Sequence, residues 1–302
     1  MMTNPDSSSP RAPVFLTGAT SHTGSHLLRI MLGRGMTVKC LIRSPEKIPL
    51  LPKGDYEIVP GDAMRPETFV SALTGCRAML NIAHIRLAAH FVEACRQAQV
   101  RRIVSISSTR RYTKFPDIIS QRVIDGENAI RESDLDYTII RASMIYGSAR
   151  DNNMHNLLMR LRRWPVFPLP GGGKTHIQPV FVEDLCQALL AALERDATRG
   201  KEYNICGPEP LALREAIEIL IRQDRLKTRL LPAPTAPALF LAQIIDALRR
   251  AGPAGLAPKI RRLQEDKTYD ISDAQRDLGF NPRSFEDGVR RKLEWLAQSN
   301  KF

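Results

Sequence analysis

Short apolar runs alternate with segments of helical periodicity through the first half of the chain. Helical spacing of apolar residues is clearest around 87–98 and 118–132. Helices between strands imply a parallel sheet covered on both faces. The pattern therefore predicts an α/β fold with a doubly wound parallel sheet. The runs that predict its strands are Val14–Leu16, Val38–Arg43, Tyr56–Val59, Leu80–Ile82, Arg102–Ser107 and Tyr137–Arg141.

The pattern changes after about residue 150, where strands give way to segments that are mostly helical. Trp164–Gly173 is rich in proline and glycine and predicts an irregular loop. Leu239–Leu248 is strongly apolar and predicts a helix that packs onto the sheet domain, with contact to a membrane surface or a protein partner as the alternative. The predicted helices are Val182–Leu193, Leu213–Ile221, about Pro237–Arg250 and Phe285–Ala297.

A glycine-rich turn follows the first predicted strand and opens a helix-like segment. Gly18 predicts a tight turn and Gly24 close packing of the helix on the strand, while Ser21 occupies the middle position. A helix that starts there points its free N–H groups and positive dipole end at a phosphate. The turn therefore predicts a dinucleotide pyrophosphate site, with candidate residues Gly18, Thr20, Ser21, His22, Thr23 and Gly24.

The end of the second predicted strand carries Arg43, Ser44 and, three residues later, Lys47. Sites that bind NAD often place an acidic residue there to hold the ribose hydroxyls. A guanidinium instead matches a 2′-phosphate, which it binds through two charge-assisted hydrogen bonds. A solvated surface arginine is the alternative. The sequence favours NADP(H) over NAD(H) as the cofactor.

Composition bears on three further questions: membrane-spanning helices, the state of the cysteines and metal sites. No run of about 18 apolar residues predicts a membrane-spanning helix. Five scattered cysteines, none in a Cys-x-x-Cys pair, predict reduced thiols in a cytoplasmic protein. His22 and His26 have one-turn spacing but no third ligand in sight, so no metal site is predicted.

The net charge of +12 comes with clusters of basic residues, which favour anionic partners, here a small-molecule anionic substrate. Together with the apolar Leu239–Leu248 segment, the clusters also suit contact with a peripheral membrane surface or a protein complex. A generic basic surface is the alternative. Nucleic acid is not a predicted partner, because no recognisable module is present and aromatic residues make up only 6% of the chain. The clusters are Arg101–Arg102, Arg110–Arg111, Arg160–Arg163, Arg249–Arg250 and Lys259–Arg262.

Motifs along nearly the whole chain resemble those of the extended and atypical short-chain dehydrogenase/reductases, the group of NAD-dependent epimerases/dehydratases and NmrA-like proteins. From Glu127 onward their order resembles most closely the complex I 39-kDa accessory subunit type. The motifs are Thr17-Gly-Ala-Thr20, Gly61-Asp62, Asn81-Ile-Ala83, Ser107-Ser-Thr109, Leu135–Arg141, Ile145-Tyr-Gly147, Pro179–Asp184, Tyr203–Pro208 and Asp277–Pro282.

The resemblance implies an NADP(H)-binding Rossmann-like domain at 12–150, after a polar stretch at 1–11 that predicts a disordered leader. A smaller, mostly helical substrate lobe would follow at 151–302, with 178–206 returning to the Rossmann sheet. The resemblance also implies cofactor roles. Asp62 would bond the adenine amino group, and the backbone at Ala83 would line the adenosine. Ser107 and Arg122 are the remaining candidate cofactor contacts.

The catalytic positions depart from the family pattern. Active members carry a Tyr-x-x-x-Lys pair, in which the lysine lowers the pKa of the tyrosine that moves the proton. The alignment instead places Ile119 and Val123 at these positions. Thr109 matches the hydroxyl that positions the carbonyl, and Tyr112 is the nearby candidate for the missing phenol.

Three functional hypotheses follow, and the sequence leaves open whether the chain is an enzyme. The first is an NADP(H)-dependent oxidoreductase or epimerase/dehydratase that acts on a nucleotide sugar or a small carbonyl compound without the usual pair. The second is a non-catalytic NADPH-binding redox sensor, or an assembly or accessory subunit. The third is a partner at a membrane surface or in a protein complex, which would use the basic clusters and the apolar Leu239–Leu248 segment.

Overall fold

The computed structural model describes residues 12–249, 255–262 and 264–298. The predicted leader at 1–11 lies outside the described residues. The chain forms two compact units. Unit 1 contains the described residues up to Ile106, together with Gly126–Ile139 and Arg199–Lys201. Unit 2 contains Ser107–Asp125, Ile140–Thr198 and the described residues from Glu202 onward.

The strands follow the apolar runs of the sequence closely in the first half of the chain. In chain order they are β1 (Val14–Thr17), β2 (Val38–Ile42), β3 (Glu57–Pro60), β4 (Ala78–Asn81), β5 (Arg102–Ser108), β6 (Asp136–Ala142), β7 (Ile145–Tyr146), β8 (Val166–Pro170), β9 (His176–Ile177), β10 (Val180–Phe181), β11 (Lys201–Ile205), β12 (Leu211–Ala212) and β13 (Arg229–Ala233).

Seven strands form one sheet in the order β11-β6-β5-β4-β1-β2-β3. The central strand β1 pairs in parallel with β2 on one side and with β4 on the other, and Leu16 lies opposite both Cys40 and Leu80. The pairs β2–β3 and β4–β5 are also parallel. The strand order reverses beside β1, which is where doubly wound sheets bind ligands at the carboxyl ends of their strands. The predicted α/β fold is confirmed.

Helices fill most of the intervals between strands. They are α1 (His22–Gly33), α2 (Val70–Leu73), α3 (Ala88–Gln97), α4 (Ile118–Arg131), α5 (Met154–Arg163), α6 (Val182–Glu194), α7 (Leu213–Gln223), α8 (Thr235–Arg249), α9 (Leu256–Arg262), α10 (Ser272–Leu278) and α11 (Phe285–Gln298). None of the helices in the described part of the chain has the length and apolar character needed to span a bilayer.

The core of unit 1 is built from the inward faces of β1 and the helices around it. Phe15 stacks on Phe69 with ring centroids 5.7 Å apart, and Phe69 contacts Phe91 at 6.4 Å. Leu27 and Leu28 of α1 are fully buried. Apolar residues on both faces of a parallel sheet are what fix its strands between covering helices.

The core of unit 2 centres on Tyr146 of β7. Its ring lies 5.4 Å from that of Phe181 and 5.1 Å from that of Phe285. Deep in the same unit, Lys292 of α11 forms an ion pair with Asp151 at 2.7 Å, and each side chain is 1% exposed. Burial lowers the pKa of Lys292 more than the neighbouring carboxylate raises it.

The prediction that Trp164–Gly173 is an irregular loop is wrong, because this segment contains β8. β8 pairs in parallel with β13, and Pro168 lies opposite Leu231. Proline cannot donate a hydrogen bond to a ladder, but a two-stranded sheet consists entirely of edge strands, where a missing N–H can face outward. The prolines of this segment are therefore compatible with an edge strand and do not require a loop.

α8 carries an exposed apolar face. Phe240, Ile244 and Leu248 follow one another at four-residue spacing and are 66%, 42% and 80% exposed. Ala242, in contrast, is buried. The apolar character noted in the sequence is therefore only partly covered within the described part of unit 2.

A candidate cofactor cavity and the catalytic positions

The turn between β1 and α1 has the geometry that a pyrophosphate site needs. Gly18 has a φ of 66°, which is the left-handed conformation that glycine adopts without strain. A Cβ atom at Gly24 would lie 2.1 Å from the Gly18 carbonyl oxygen, so only glycine lets α1 start this close to β1. Ser21 caps α1, and its hydroxyl accepts a hydrogen bond from the Gly24 N–H at 3.0 Å.

A buried polar network joins the ends of β1 and β4 to the middle of β5. Thr17 donates to Asn81 Oδ1 at 2.8 Å, and Asn81 Nδ2 donates to Ser105 at 2.8 Å. The same Asn81 oxygen accepts the backbone N–H of Ala83 at 3.1 Å. Because each of these buried polar groups has a partner, the network holds β1, β4 and β5 in fixed register beside the turn.

A cavity of about 240 Å³ lies within unit 1 beside this turn. Five residues that the sequence proposed as cofactor contacts line it: Gly18, Thr20, Arg43, Asp62 and Ala83. The others are Thr17, Leu41, Ser44, Lys47, Gly61, Ala63, Arg86 and Leu87. Ser21, His22, Thr23 and Gly24 form the turn and the first residues of α1 and do not line the cavity.

The charge around this cavity is strongly positive. Arg43, Lys47 and Arg86 line it, against the single carboxylate of Asp62. Asp62 Oδ1 accepts the Met64 N–H at 3.0 Å, which fixes the carboxylate in its turn. No described residue forms an ion pair with any of the three cations. The cavity therefore offers charged donors for a phosphate that the residues of unit 1 do not already occupy.

The residues present fit a dinucleotide of the NAD(P) type. A cradle that excludes any Cβ atom at Gly24 lies beside a cavity with three cations. The sequence identified Arg43 and noted Lys47, but it missed Arg86. Arg86 follows Ala83 by three residues, and its position just after β4 was the signal that could have identified it.

The proposed catalytic residues lie in unit 2. Thr109 is buried and shares a side-chain hydrogen bond with Tyr269. Tyr112 is 43% exposed, and its hydroxyl accepts a hydrogen bond from Arg141 at 3.0 Å. The rings of Tyr112 and Tyr269 lie 5.7 Å apart. Thr109 thus contacts a phenol from the C-terminal part of the chain, which the sequence reasoning missed because nothing local relates positions so far apart.

The pKa of Tyr269 is raised, whereas a tyrosine that acts as a base needs a lowered pKa. Burial raises its pKa, and the hydrogen bond with Thr109 opposes that shift only in part.

On α4, the positions aligned with the missing pair are Ile119, which is half-buried, and Val123, which is 2% exposed. Arg122 on the same helix is exposed, and Ser107 at the end of β5 is buried. No group of three or more His, Cys, Asp or Glu side chains within the described ranges could hold a metal ion.

Two family models match the chain. A model described as NAD(P)H-binding matches residues 18–156, and one for the NAD dependent epimerase/dehydratase family matches residues 122–206. The first covers the turn and every residue that lines the cavity except Thr17.

Curated relatives include both an enzyme and complex-associated proteins. A farnesyl-dihydroquinoline-oxide ketoreductase of Stigmatella aurantiaca is 23% identical over 89% of this chain and 92% of its own. The photosystem II assembly factor Ycf39 of Synechocystis is 24% identical over 76% of this chain and 72% of its own. Subunit 9 of the NADH dehydrogenase 1 alpha subcomplex of Arabidopsis thaliana is 29% identical over 46% of this chain and 35% of its own.

Solved structures share the fold. The epimerase Mth375 of Methanothermobacter thermautotrophicus superposes with a TM-score of 0.78 at 16% identity, covering 96% of this chain and 94% of its own. MoeE5 in complex with UDP-glucose and NAD gives 0.74 at 19% identity, covering 96% and 100%. The resemblance identified from the motifs is confirmed. Together the two models match residues 18–206, and the relatives support assigning the chain to the atypical, NAD(P)-binding epimerase/dehydratase-type short-chain dehydrogenase/reductases.

Proposed function

We propose that this chain binds NADP(H) in preference to NAD(H). The observation that carries the proposal is the clustering of Arg43, Lys47 and Arg86 around the cavity that Gly18 and Asp62 also line. The two cofactors differ by one phosphate, so selectivity must come from groups that recognise that phosphate. Arg43 directly follows β2, the strand whose end carries the ribose-binding residue in dinucleotide folds.

Each part of the cavity has a role in this proposal. The N–H groups at the start of α1 face the pyrophosphate. Asp62 accepts from the adenine amino group, and Ala83 lies along the adenosine. Arg43, Ser44 and Lys47 hold the 2′-phosphate. When bound, the nicotinamide supplies or accepts a hydride.

A fluorescence titration of the purified protein with NADPH and with NADH tests this proposal, after native mass spectrometry for nucleotide already bound. We expect NADPH to bind at least tenfold more tightly than NADH. Equal affinities, or tighter binding of NADH, would overturn the assignment of the cations to the 2′-phosphate. Absence of binding for both nucleotides would overturn the cofactor site itself.

A second candidate function is reduction of a carbonyl compound, which the hydrogen bond between Thr109 and Tyr269 favours. A phenol beside a threonine hydroxyl can donate to a carbonyl oxygen in place of the missing tyrosine. The similarity to a ketoreductase over most of both chains agrees with this candidate. NADPH consumption across a panel of small carbonyl compounds tests it, and absence of turnover leaves the alternative, an NADPH-binding sensor or accessory protein.

A further inference from the structure

A second cavity, of about 340 Å³, lies entirely within unit 2. Its wall combines hydroxyl groups, three cationic side chains and a short apolar stretch. The lining residues are Ser108, Thr109, Arg110, Thr113, Ser143, Met144, Ile145, Asn153, Arg262, Glu265, Lys267 and Tyr269. It is lined by none of the residues that line the cavity of unit 1.

Two arginines that line this cavity each have a buried N–H donor without a hydrogen-bond partner among the described residues. The Nε atoms of Arg110 and Arg262 are both shielded from solvent, and neither has a hydrogen-bond partner among the described residues. Buried polar groups in folded proteins nearly always have a partner, and an exception calls for an explanation. Two such exceptions in the wall of one cavity indicate a group that arrives from outside the chain.

The carboxylate nearest to Arg110 is already committed. Asp117 forms an ion pair with an Nη atom of Arg110. Its Oδ1 accepts the backbone N–H groups of Ile119 and Ser120, at 3.0 and 2.9 Å. Asp117 therefore caps the start of α4 and leaves the Nε of Arg110 without an acceptor.

The carboxylate that lines the cavity, Glu265, already has hydrogen-bond partners as well. Glu265 accepts a hydrogen bond from the Thr113 hydroxyl at 2.9 Å and another from the Lys114 N–H. Lys267 Nζ donates to the backbone carbonyl of Arg262 at 2.7 Å, which brings a further cation to the same wall. None of these described residues accepts a hydrogen bond from the Arg262 Nε.

The charges do not balance without an added anion. Arg110, Arg262 and Lys267 carry three positive charges, against the two carboxylates of Asp117 and Glu265. Burial lowers the pKa of Arg262, and the neighbouring guanidinium of Arg110 lowers it further. Two half-buried cations that repel each other are stabilised by an anion that both can reach.

We propose that this cavity binds an oxyanion group of a small-molecule substrate, a phosphoryl or a carboxylate, through the Nε groups of Arg110 and Arg262. The inference rests on the proposed function only in taking this second ligand to be the substrate that accompanies NADP(H). Thr109 and Tyr269 line the same cavity and can hydrogen-bond the rest of the ligand. Met144 and Ile145 supply an apolar wall for it.

Isothermal titration with inorganic phosphate and with malonate, at constant ionic strength, tests the site and distinguishes the two oxyanions. The protein is first saturated with NADPH, so that the cations of the unit 1 cavity are occupied. We expect one of the anions to bind, and Arg262→Gln to weaken it at least tenfold, because a charge-assisted donor is lost. Arg261→Gln, an exposed neighbour on α9, removes the same charge and should change the affinity less than twofold.

Arg262→Lys keeps the charge but lacks the Nε, and it should weaken binding by several-fold. It also serves if the glutamine variant fails to fold. Equal losses in Arg262→Gln and Arg261→Gln, or absence of binding for both anions in the unmodified protein, would overturn the inference. The anion titration is repeated without NADPH. If NADPH does not bind, the effect of the Arg262 substitutions on anion affinity can still be measured. The two proposals can therefore be rejected independently.

Discussion

Replacing Arg43 by alanine gives the sharpest test of cofactor choice. Arg43 is one of three cations at the unit 1 cavity, and it directly follows β2. A hydrogen bond to a charged group contributes about 1.5–3 kcal/mol, which corresponds to a factor of about 10–150 in affinity. We therefore expect Arg43→Ala to weaken NADPH binding by about 10- to 150-fold. NADH has no 2′-phosphate, so its affinity should change less than about threefold.

The assay is a paired fluorescence titration with NADPH and NADH on each variant. Arg29→Ala is the matched control, because Arg29 is an exposed residue of α1 that carries the same charge and does not line the cavity. A general loss of positive charge would affect both variants alike. Equal losses of NADPH and NADH affinity in Arg43→Ala would refute the reasoning, since they would place Arg43 on a part of the cofactor that both share.

Three further substitutions test other parts of the structure. Lys292→Met leaves the buried carboxylate of Asp151 without its cation, and should cost about 3–5 kcal/mol of unfolding free energy in urea; a loss below about 1 kcal/mol would contradict this. Gly24→Ala forces a Cβ atom against the Gly18 carbonyl and should weaken NADPH binding at least tenfold by titration, whereas unchanged affinity would show that α1 can shift without harm. If the chain reduces a carbonyl compound, Tyr269→Phe should lower kcat by about 10²- to 10⁴-fold while NADPH affinity stays constant. An unchanged kcat would show that Tyr269 takes no part in the reaction.

Local pattern was enough to predict the sheet and the turn beside it. The apolar runs at Val14–Leu16 and Val38–Arg43 are nearly the observed β1 and β2, because strands buried on both faces leave little room for polar residues. Gly18 and Gly24 could be interpreted from their spacing alone, because each excludes a side chain for a backbone reason.

Contacts between distant parts of the chain were not predictable in the same way. Thr109 and Tyr269 are 160 positions apart, and no periodicity links them. The Nε groups of Arg110 and Arg262 are conspicuous only because nothing in the described chain satisfies them, which is a property of packing. Both arginines belong to basic clusters from which the sequence predicted anionic partners in general, without locating a site.

The position of β11 at the edge of the sheet affects how the protein is made. β6 lies between β5 and β11, yet about 60 residues separate the end of β6 from the end of β11. At a synthesis rate of about 5–20 residues per second, a nascent chain would wait about 3–12 seconds after completing β6 before β11 emerges. During that interval β6 has an unpaired edge beside the apolar residues Ile139 and Ile140. During that interval the growing chain therefore has a strand edge that is open to pairing with other chains.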